Sequence, residues 1–235
     1  MKSAALRSGV PGRNFYGRVR GKTLKPAQAL AIDEDLPRLR LSGITVGDNP
    51  DRIRIDPATI FGDARPLWLE IGFGGGEHMV HQAQINPGVG LIGCEPFLNG
   101  VAMALGKMKR AGVSNIRLHP GDARDLLDVL PDACISRAFL LYPDPWPKTR
   151  HHRRRFVTPE HLHPLARVLA PGAEFRVATD IPSYVRQTLD EVPFAGFRRI
   201  DHATDAAWSD WPSTRYEAKA LREGRAPHYL TFVRA

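Results

Sequence analysis

Leu67-Trp68-Leu69-Glu70-Ile71-Gly72-Phe73-Gly74-Gly75-Gly76-Glu77 passes from a short apolar run straight into a turn carrying four glycines. The run reads as a buried strand, Leu67–Ile71, because glycine bounds it and no helical period fits its length. The glycines leave no Cβ over the turn, so a flat ligand can lie directly on the backbone. The same alternation continues downstream. Val89–Cys94, Ile116–His119, Ile135–Leu141 and Glu174–Ala178 read as further buried strands. Gly76–Ile85, Leu98–Ala111, Ala123–Leu130 and Pro159–Leu169 are each long enough for a crossover helix. Thr158-Pro159 supplies an N-cap followed by proline at the first helical position, and Ala170-Pro171-Gly172 supplies a stop. Strands alternating with helices predict a doubly wound, mostly parallel α/β sheet covered on both faces. Beyond Asp180, a helix near Tyr184–Glu191 and strands at Gly196–Ile200 and Tyr229–Val233 are expected.

Upstream, Pro26, Pro37, Pro50 and Pro57 break residues 26–64 into short helical pieces and loops. Residues 26–235 are therefore expected to form a single domain with an irregular N-terminal extension. A basic tail at 1–25, without hydrophobic periodicity, is expected to be disordered. The 235 residues carry a formal net charge of +8, and its distribution says more than its size. Seven of the 33 cations fall in residues 1–25 with no acid, leaving 26 cations against 25 acids in the rest. A near-neutral body with a basic tail points to a polyanionic partner, although a solvated terminus with no partner has the same composition. No apolar stretch follows the tail's charges, which argues against a secretory signal. No apolar run approaches the ~20 residues that cross a bilayer. Two cysteines, Cys94 and Cys134, cannot build a disulfide framework or a cysteine zinc site, so buried reduced thiols in a cytoplasmic protein are expected.

Ligands of doubly wound sheets bind at the carboxyl ends of the strands, and acids stand there. Glu77 occupies the place where a pyrophosphate fingerprint has its third glycine, and a carboxylate at a helix N-terminus repels a diphosphate. The glycine turn therefore suits a cofactor without phosphates, and a nicotinamide oxidoreductase is disfavoured. Glu95 ends the second strand, ~20 residues past the glycines, where an acid accepts from both ribose hydroxyls. Asp122 ends the third strand, where a carboxylate can receive an adenine amino group, and Glu70 could meet a cationic amino group. Strand-end acids also serve as helix caps. As a set, these acids fit a ligand with adenosine at one end and an ammonium at the other, as in S-adenosylmethionine.

The fourth strand leads into Tyr142-Pro143-Asp144-Pro145-Trp146-Pro147-Lys148. Three prolines at alternate positions stiffen the backbone and remove amide donors, so Asp144 is held at the sheet's mouth, and Trp146 offers a surface for a nucleobase. Lys148–Arg155 adds five cations and two histidines; alone such a run suits a solvated face as well, but its position directly after Asp144 argues for phosphate contacts that bring a nucleic acid there. His151-His152 lacks acids at helix or turn spacing, so no metal is expected. Asp180 ends the fifth strand and can face the same mouth. In Thr214-Arg215-Tyr216-Glu217, Glu217 could accept from the N1 and N2 donors of guanine while Arg215 and Lys219 hold flanking phosphates; alone, the segment from Pro212 to Lys219 reads equally as the start of an amphipathic helix.

Taken together, these segments resemble the bacterial tRNA (guanine-N7-)-methyltransferases that modify position 46 of the variable loop. The resemblance runs from about Arg38 to the C-terminus and rests on Leu69–His78, Gly93–Pro96, Tyr142–Lys148, Arg153–Arg155, Thr179-Asp180 and Thr214–Glu217. The family often has phenylalanine at the position of Tyr216. The resemblance implies a class I (Rossmann-like) methyltransferase fold with S-adenosylmethionine bound by Glu70, Gly72, Gly74, Glu95, Asp122 and Asp144. It implies an active-site role for Asp144. It also implies tRNA contacts at Lys148, Arg150, Arg153, Arg154, Arg155, Asp180, Thr214, Arg215, Tyr216 and Glu217, with no metal, no membrane and no obligate protein partner. Two rival functions fit parts of the pattern: an amino-methyltransferase acting on adenine or a protein side chain, whose reaction needs a proton acceptor, and a non-catalytic RNA-binding protein.

Overall fold

A computed structural model describes Val10 and residues 13–235, and in it the run that opens the glycine turn forms β1, Leu67–Ile71, at the predicted boundaries. The chain divides after Pro131 into two compact units. Before β1, the proline-broken segment makes three short helices, α1 (Pro26–Glu34), α2 (Leu36–Leu39) and α3 (Ala58–Phe61). After it come α4 (Glu77–Ile85), β2 (Gly90–Cys94), α5 (Leu98–Ala111), β3 (Ile116–His119) and α6 (Ala123–Val129). Within this unit the strand order is β3-β2-β1, all parallel, with Leu67 opposite Gly90 and Leu91 opposite Ile116. All of β2 is buried, as a parallel strand covered on both faces must be. Val101, Leu105 and Met108 face the core at helical spacing on α5 and pack with Phe73, Met79 and Leu91. Gly76 is required where α4 meets α5: its φ is +76°, and a Cβ there would stand 2.7 Å from the Ala104 Cβ.

The second unit holds β4 (Ile135–Leu141), a 3-10 turn (Thr149–Arg154), α7 (Pro159–Val168) and β5 (Leu169–Thr179). It continues with α8 (Pro182–Phe194), β6 (Phe197–Ala203), α9 (Arg215–Arg222) and β7 (His228–Arg234). Its strand order is β4-β5-β7-β6, with β4 parallel to β5 and β7 antiparallel to both neighbours. The seven strands and their intervening helices are those of an α/β protein. Two departures from the sequence reading have a clear local cause. The strand expected to start at Glu174 begins at Leu169, because Gly172 adopts φ +78° and lets a bulge carry the chain from helix to sheet without a loop. Thr158 does precede α7, yet its Oγ1 bonds the ring of His161 at 3.1 Å and leaves the helix amides uncapped by it.

Residues 1–9, 11 and 12 of the expected disordered tail lie outside the described residues. From Arg13 to Lys25 the chain carries no helix or strand, but it is tied down. Val19 O accepts from Leu98 N at 3.0 Å, Gly21 N donates to Asn99 at 2.8 Å, and Arg13 pairs with Asp125 and Asp128 at 3.0 and 2.9 Å. Hydrogen bonds and ion pairs hold this stretch, which is why hydrophobic period gave no sign of it. Among the described residues no helix is long and apolar enough to cross a membrane.

Candidate active site

In the first unit the glycine turn and the acids line the carboxyl ends of the adjacent strands β1, β2 and β3, which together make a rim. Glu95, buried at the end of β2, accepts from Gly74 N on one carboxylate oxygen at 2.7 Å and from Phe97 N on the other at 2.9 Å. It thereby ties the turn after β1 to the chain after β2. Gly72 adopts φ +72° with open space where a Cβ would be, and Gly74 also has positive φ. Glu70, buried at 3% exposure, meets Nδ1 of His78 at 2.6 Å. Asp122 caps α6 through Arg124 N at 3.0 Å and holds the guanidinium of the same arginine, whose hydrogen bonds and charge draw its pKa below the ordinary carboxylate value against the opposing effect of burial. The helix-cap role of strand-end acids is thus real for Asp122, and both its oxygens already have donors.

This rim fits S-adenosylmethionine. The carboxylates of Glu70 and Glu95, beside the open floor of Gly72, match a ligand whose ammonium, sulfonium and ribose groups are all positive or donating. The exclusion of a diphosphate by Glu77 is weaker than the sequence implied, because Lys107 pairs with Glu77 at 2.8 Å and also donates to Gly75 O. Beside the rim, buried His119 has its pKa lowered to about 4, chiefly by desolvation and then by the charge of Arg40.

In the second unit the proline-fenced loop leaves β4 through strain. Tyr142 and Trp146 adopt φ of +47° and +39°, a left-handed conformation that costs a non-glycine residue ~1–3 kcal/mol. Asp144 lies exposed between them. The ring of Trp146 meets His151 edge-on and has Arg154 over it at 5.0 Å, so the face expected to stack on a base already carries a cation. Lys148, Arg150 and Arg153 are exposed, as phosphate contacts require.

Arg155 is the clear correction. Expected to meet RNA, it is 1% exposed and spends its donors inside the protein, on Pro145 O, Trp146 O, Ser183 and Gln187. It follows the 3-10 turn in extended backbone and points inward, and a run of cations in sequence gives no hint of that. Glu217 is a second correction. It is 5% exposed, accepts from Trp211 Nε1 at 2.9 Å and from the Tyr229 hydroxyl, and its amide is capped by Thr214 Oγ1, so it organises the start of α9 rather than presenting an open acceptor. Asp180 is half-buried and paired with Arg225. Arg215 and Tyr216 are exposed, with the guanidinium over the phenol ring at 4.9 Å. Burial pushes the Tyr142 and Tyr229 phenols well up, with the charge of Glu217 adding to it. His78, Lys107, Trp211, Tyr229 and Arg225 were not singled out from the sequence, since each acts through a partner that only the fold brings to it.

Comparison with known proteins places residues 64–230 in a family model described as "Putative methyltransferase". A relative named tRNA (guanine-N(7)-)-methyltransferase from Paracoccus denitrificans (strain Pd 1222) is 70% identical, covering 95% of this chain and 96% of its own. One of the same name from Ruegeria pomeroyi (strain ATCC 700808 / DSM 15171 / DSS-3) is 67% identical, covering 95% of each. Among solved structures, the 16S rRNA methyltransferase KamB superposes with a TM-score of 0.55 at 18% identity, over 83% of this chain and 99% of that one. The 16S rRNA (adenine(1408)-N(1))-methyltransferase W203A mutant from Catenulisporales acidiphilia, with its cosubstrate S-adenosylmethionine, gives 0.52 at 18% identity, over 77% and 92%. These likenesses show the class I methyltransferase fold.

Proposed function

The chain belongs to the tRNA (guanine-N(7)-)-methyltransferase family of S-adenosylmethionine-dependent enzymes, and from that premise we propose that its target is guanine 46 in the variable loop of tRNA and that the two sets of residues described above divide the work. The observation that carries the reading is the Glu95 carboxylate lacing Gly74 to Phe97 beside the open backbone of Gly72.

S-adenosylmethionine supplies a methyl group bound to a sulfonium sulfur. Glu95 would take the ribose hydroxyls, Glu70 the ammonium, and Gly72 and Gly74 would form the floor beneath them. Asp122, already holding Arg124, would offer an adenine amino group one remaining lone pair. Guanine N7 has a lone pair and no proton, so the chain needs no general base before attack; its task is alignment. Asp144 would stabilise the positive charge that methylation leaves on the purine. Asp180 would accept from the guanine's edge after exchanging Arg225, and Glu217 would support Thr214, Arg215 and Tyr216 from within. Lys148, Arg150, Arg153, Arg154 and Arg215 would meet phosphates. The enzyme would act in the cytoplasm, where tRNA is found, with tRNA as its only required macromolecular partner.

Incubation of unmodified tRNA with methyl-labelled cofactor, followed by nuclease mapping, tests this. One 7-methylguanosine at position 46, absent when that guanine is replaced by adenine, is the expected result. Label on an exocyclic amine would establish the amino-methyltransferase reading, and RNA binding without label would establish the non-catalytic one.

A further inference from the structure

Arg155 has a role that neither RNA contact nor ordinary packing explains. Burying a guanidinium is costly unless charge compensates it, and all its hydrogen-bond partners among the described residues are neutral. Its Nε donates to Pro145 O at 3.0 Å and its Nη2 reaches Trp146 O at 3.5 Å. On the other side, Nη1 donates to Ser183 O at 2.9 Å and Gln187 Oε1 at 3.1 Å, and Nη2 to Ser183 Oγ at 2.9 Å. The guanidinium lies over the ring of buried Tyr184 at 5.0 Å. Gln187 is itself aimed, since its Nε2 donates to Val157 O at 2.7 Å and so turns its oxygen toward the arginine.

The two loop carbonyls that Arg155 holds are those on either side of Trp146. Fixing both fixes the backbone of a residue at φ +39°, a conformation that survives only where the surroundings over-determine it. The prolines at 143, 145 and 147 have no amide hydrogens with which the loop could anchor itself. Five rigidly forked donors suit this bracket, and a lysine's single ammonium cannot span both sides of it.

We propose that Arg155 is a positioning residue for methyl transfer: it clamps the Pro143–Pro147 loop to the start of α8 and thereby sets where Asp144 stands. The proposal rests on the reading of Asp144 given above. A displaced loop leaves the cofactor's residues in the first unit and the exposed Arg150 and Arg153 in place, so the main loss falls on the chemical step.

The test compares Arg155→Gln, Arg155→Lys, Gln187→Ala, Arg153→Ala and Asp144→Ala for kcat, tRNA KM, salt dependence and calorimetric S-adenosylmethionine affinity. Arg155→Gln is expected to lower kcat ~100-fold, the effect of a displacement of about 1 Å, with tRNA KM, salt slope and cofactor affinity within threefold of wild type. Arg155→Lys should recover part of the loss, and Gln187→Ala should lower kcat by roughly three- to tenfold without unfolding the chain. Unchanged kcat in a folded Arg155→Gln overturns the proposal, as does a salt slope that drops as it does for Arg153→Ala, which would return Arg155 to the RNA surface. If Arg155→Gln does not fold, Gln187→Ala decides: full turnover there overturns the clamp. Full turnover in Asp144→Ala would instead sink the reading of Asp144, whatever the arginine does.

Discussion

The glycine rim of the first unit and the proline loop of the second solve different recognition problems by opposite means. In the rim the acids are buried or half-buried and already engaged: Glu95 by two backbone amides, Glu70 by His78, Asp122 by Arg124. In the loop the central acid is exposed, the residues flanking it are strained, and the support comes from a buried cation reaching up from below. A small ligand is recognised by a floor built from backbone before it arrives. A macromolecule needs an accessible edge, and accessibility is bought by strain that something buried must hold.

The contrast can be broken at several points. Asp144→Ala should cost the most, lowering kcat on the order of 10³-fold with the fold intact; near-normal single-turnover rates would refute its role. Glu95→Ala leaves the Gly74 and Phe97 amides without their acceptor and should weaken S-adenosylmethionine ~100-fold by calorimetry, with tRNA affinity unchanged. If both ligands weakened alike, the two regions would not be separable as argued. His119 gives the rim a pH dependence. Its pKa falls from 6.5 to about 4 on folding, so between those values the unfolded chain binds the extra proton. Its contribution is present above pH 6.5 and lost as pH falls toward 4, by about 3 kcal/mol. Denaturant titrations across that range should be steeper in pH for wild type than for His119→Leu. Replacing Arg150, Arg153 and Arg154 by alanine should raise tRNA KM roughly tenfold and flatten its salt dependence, leaving cofactor affinity alone. Lys107→Ala, which breaks the pair with Glu77, should change stability by less than ~1 kcal/mol, since both groups are partly solvated.

Most of the scaffold was legible because buried parallel strands write themselves as uninterrupted apolar runs. Leu67–Ile71, Ile116–His119 and Ile135–Leu141 stand at their expected bounds, and Leu98–Ala111 does too. The bulge at Gly172 was not, because a positive φ can continue a strand as easily as end it, whereas the helix Arg215–Arg222 was legible only as a helix start. Within the site, residue type predicted chemistry better than direction. Glu95 is legible from its distance past the glycines. Arg155 and Glu217 are not: the same letters describe a solvated arginine and a buried one, and only the extended backbone after the 3-10 segment and the packing of Trp211 and Tyr229 decide which.

The most direct measurement of the central claim is a crystal structure of the chain soaked with S-adenosylhomocysteine, the product form of the cofactor. The account requires its ribose hydroxyls on the Glu95 carboxylate and its amino group on Glu70. A ligand seated elsewhere, with the Gly74–Glu95–Phe97 lacing untouched and facing only solvent, would contradict it.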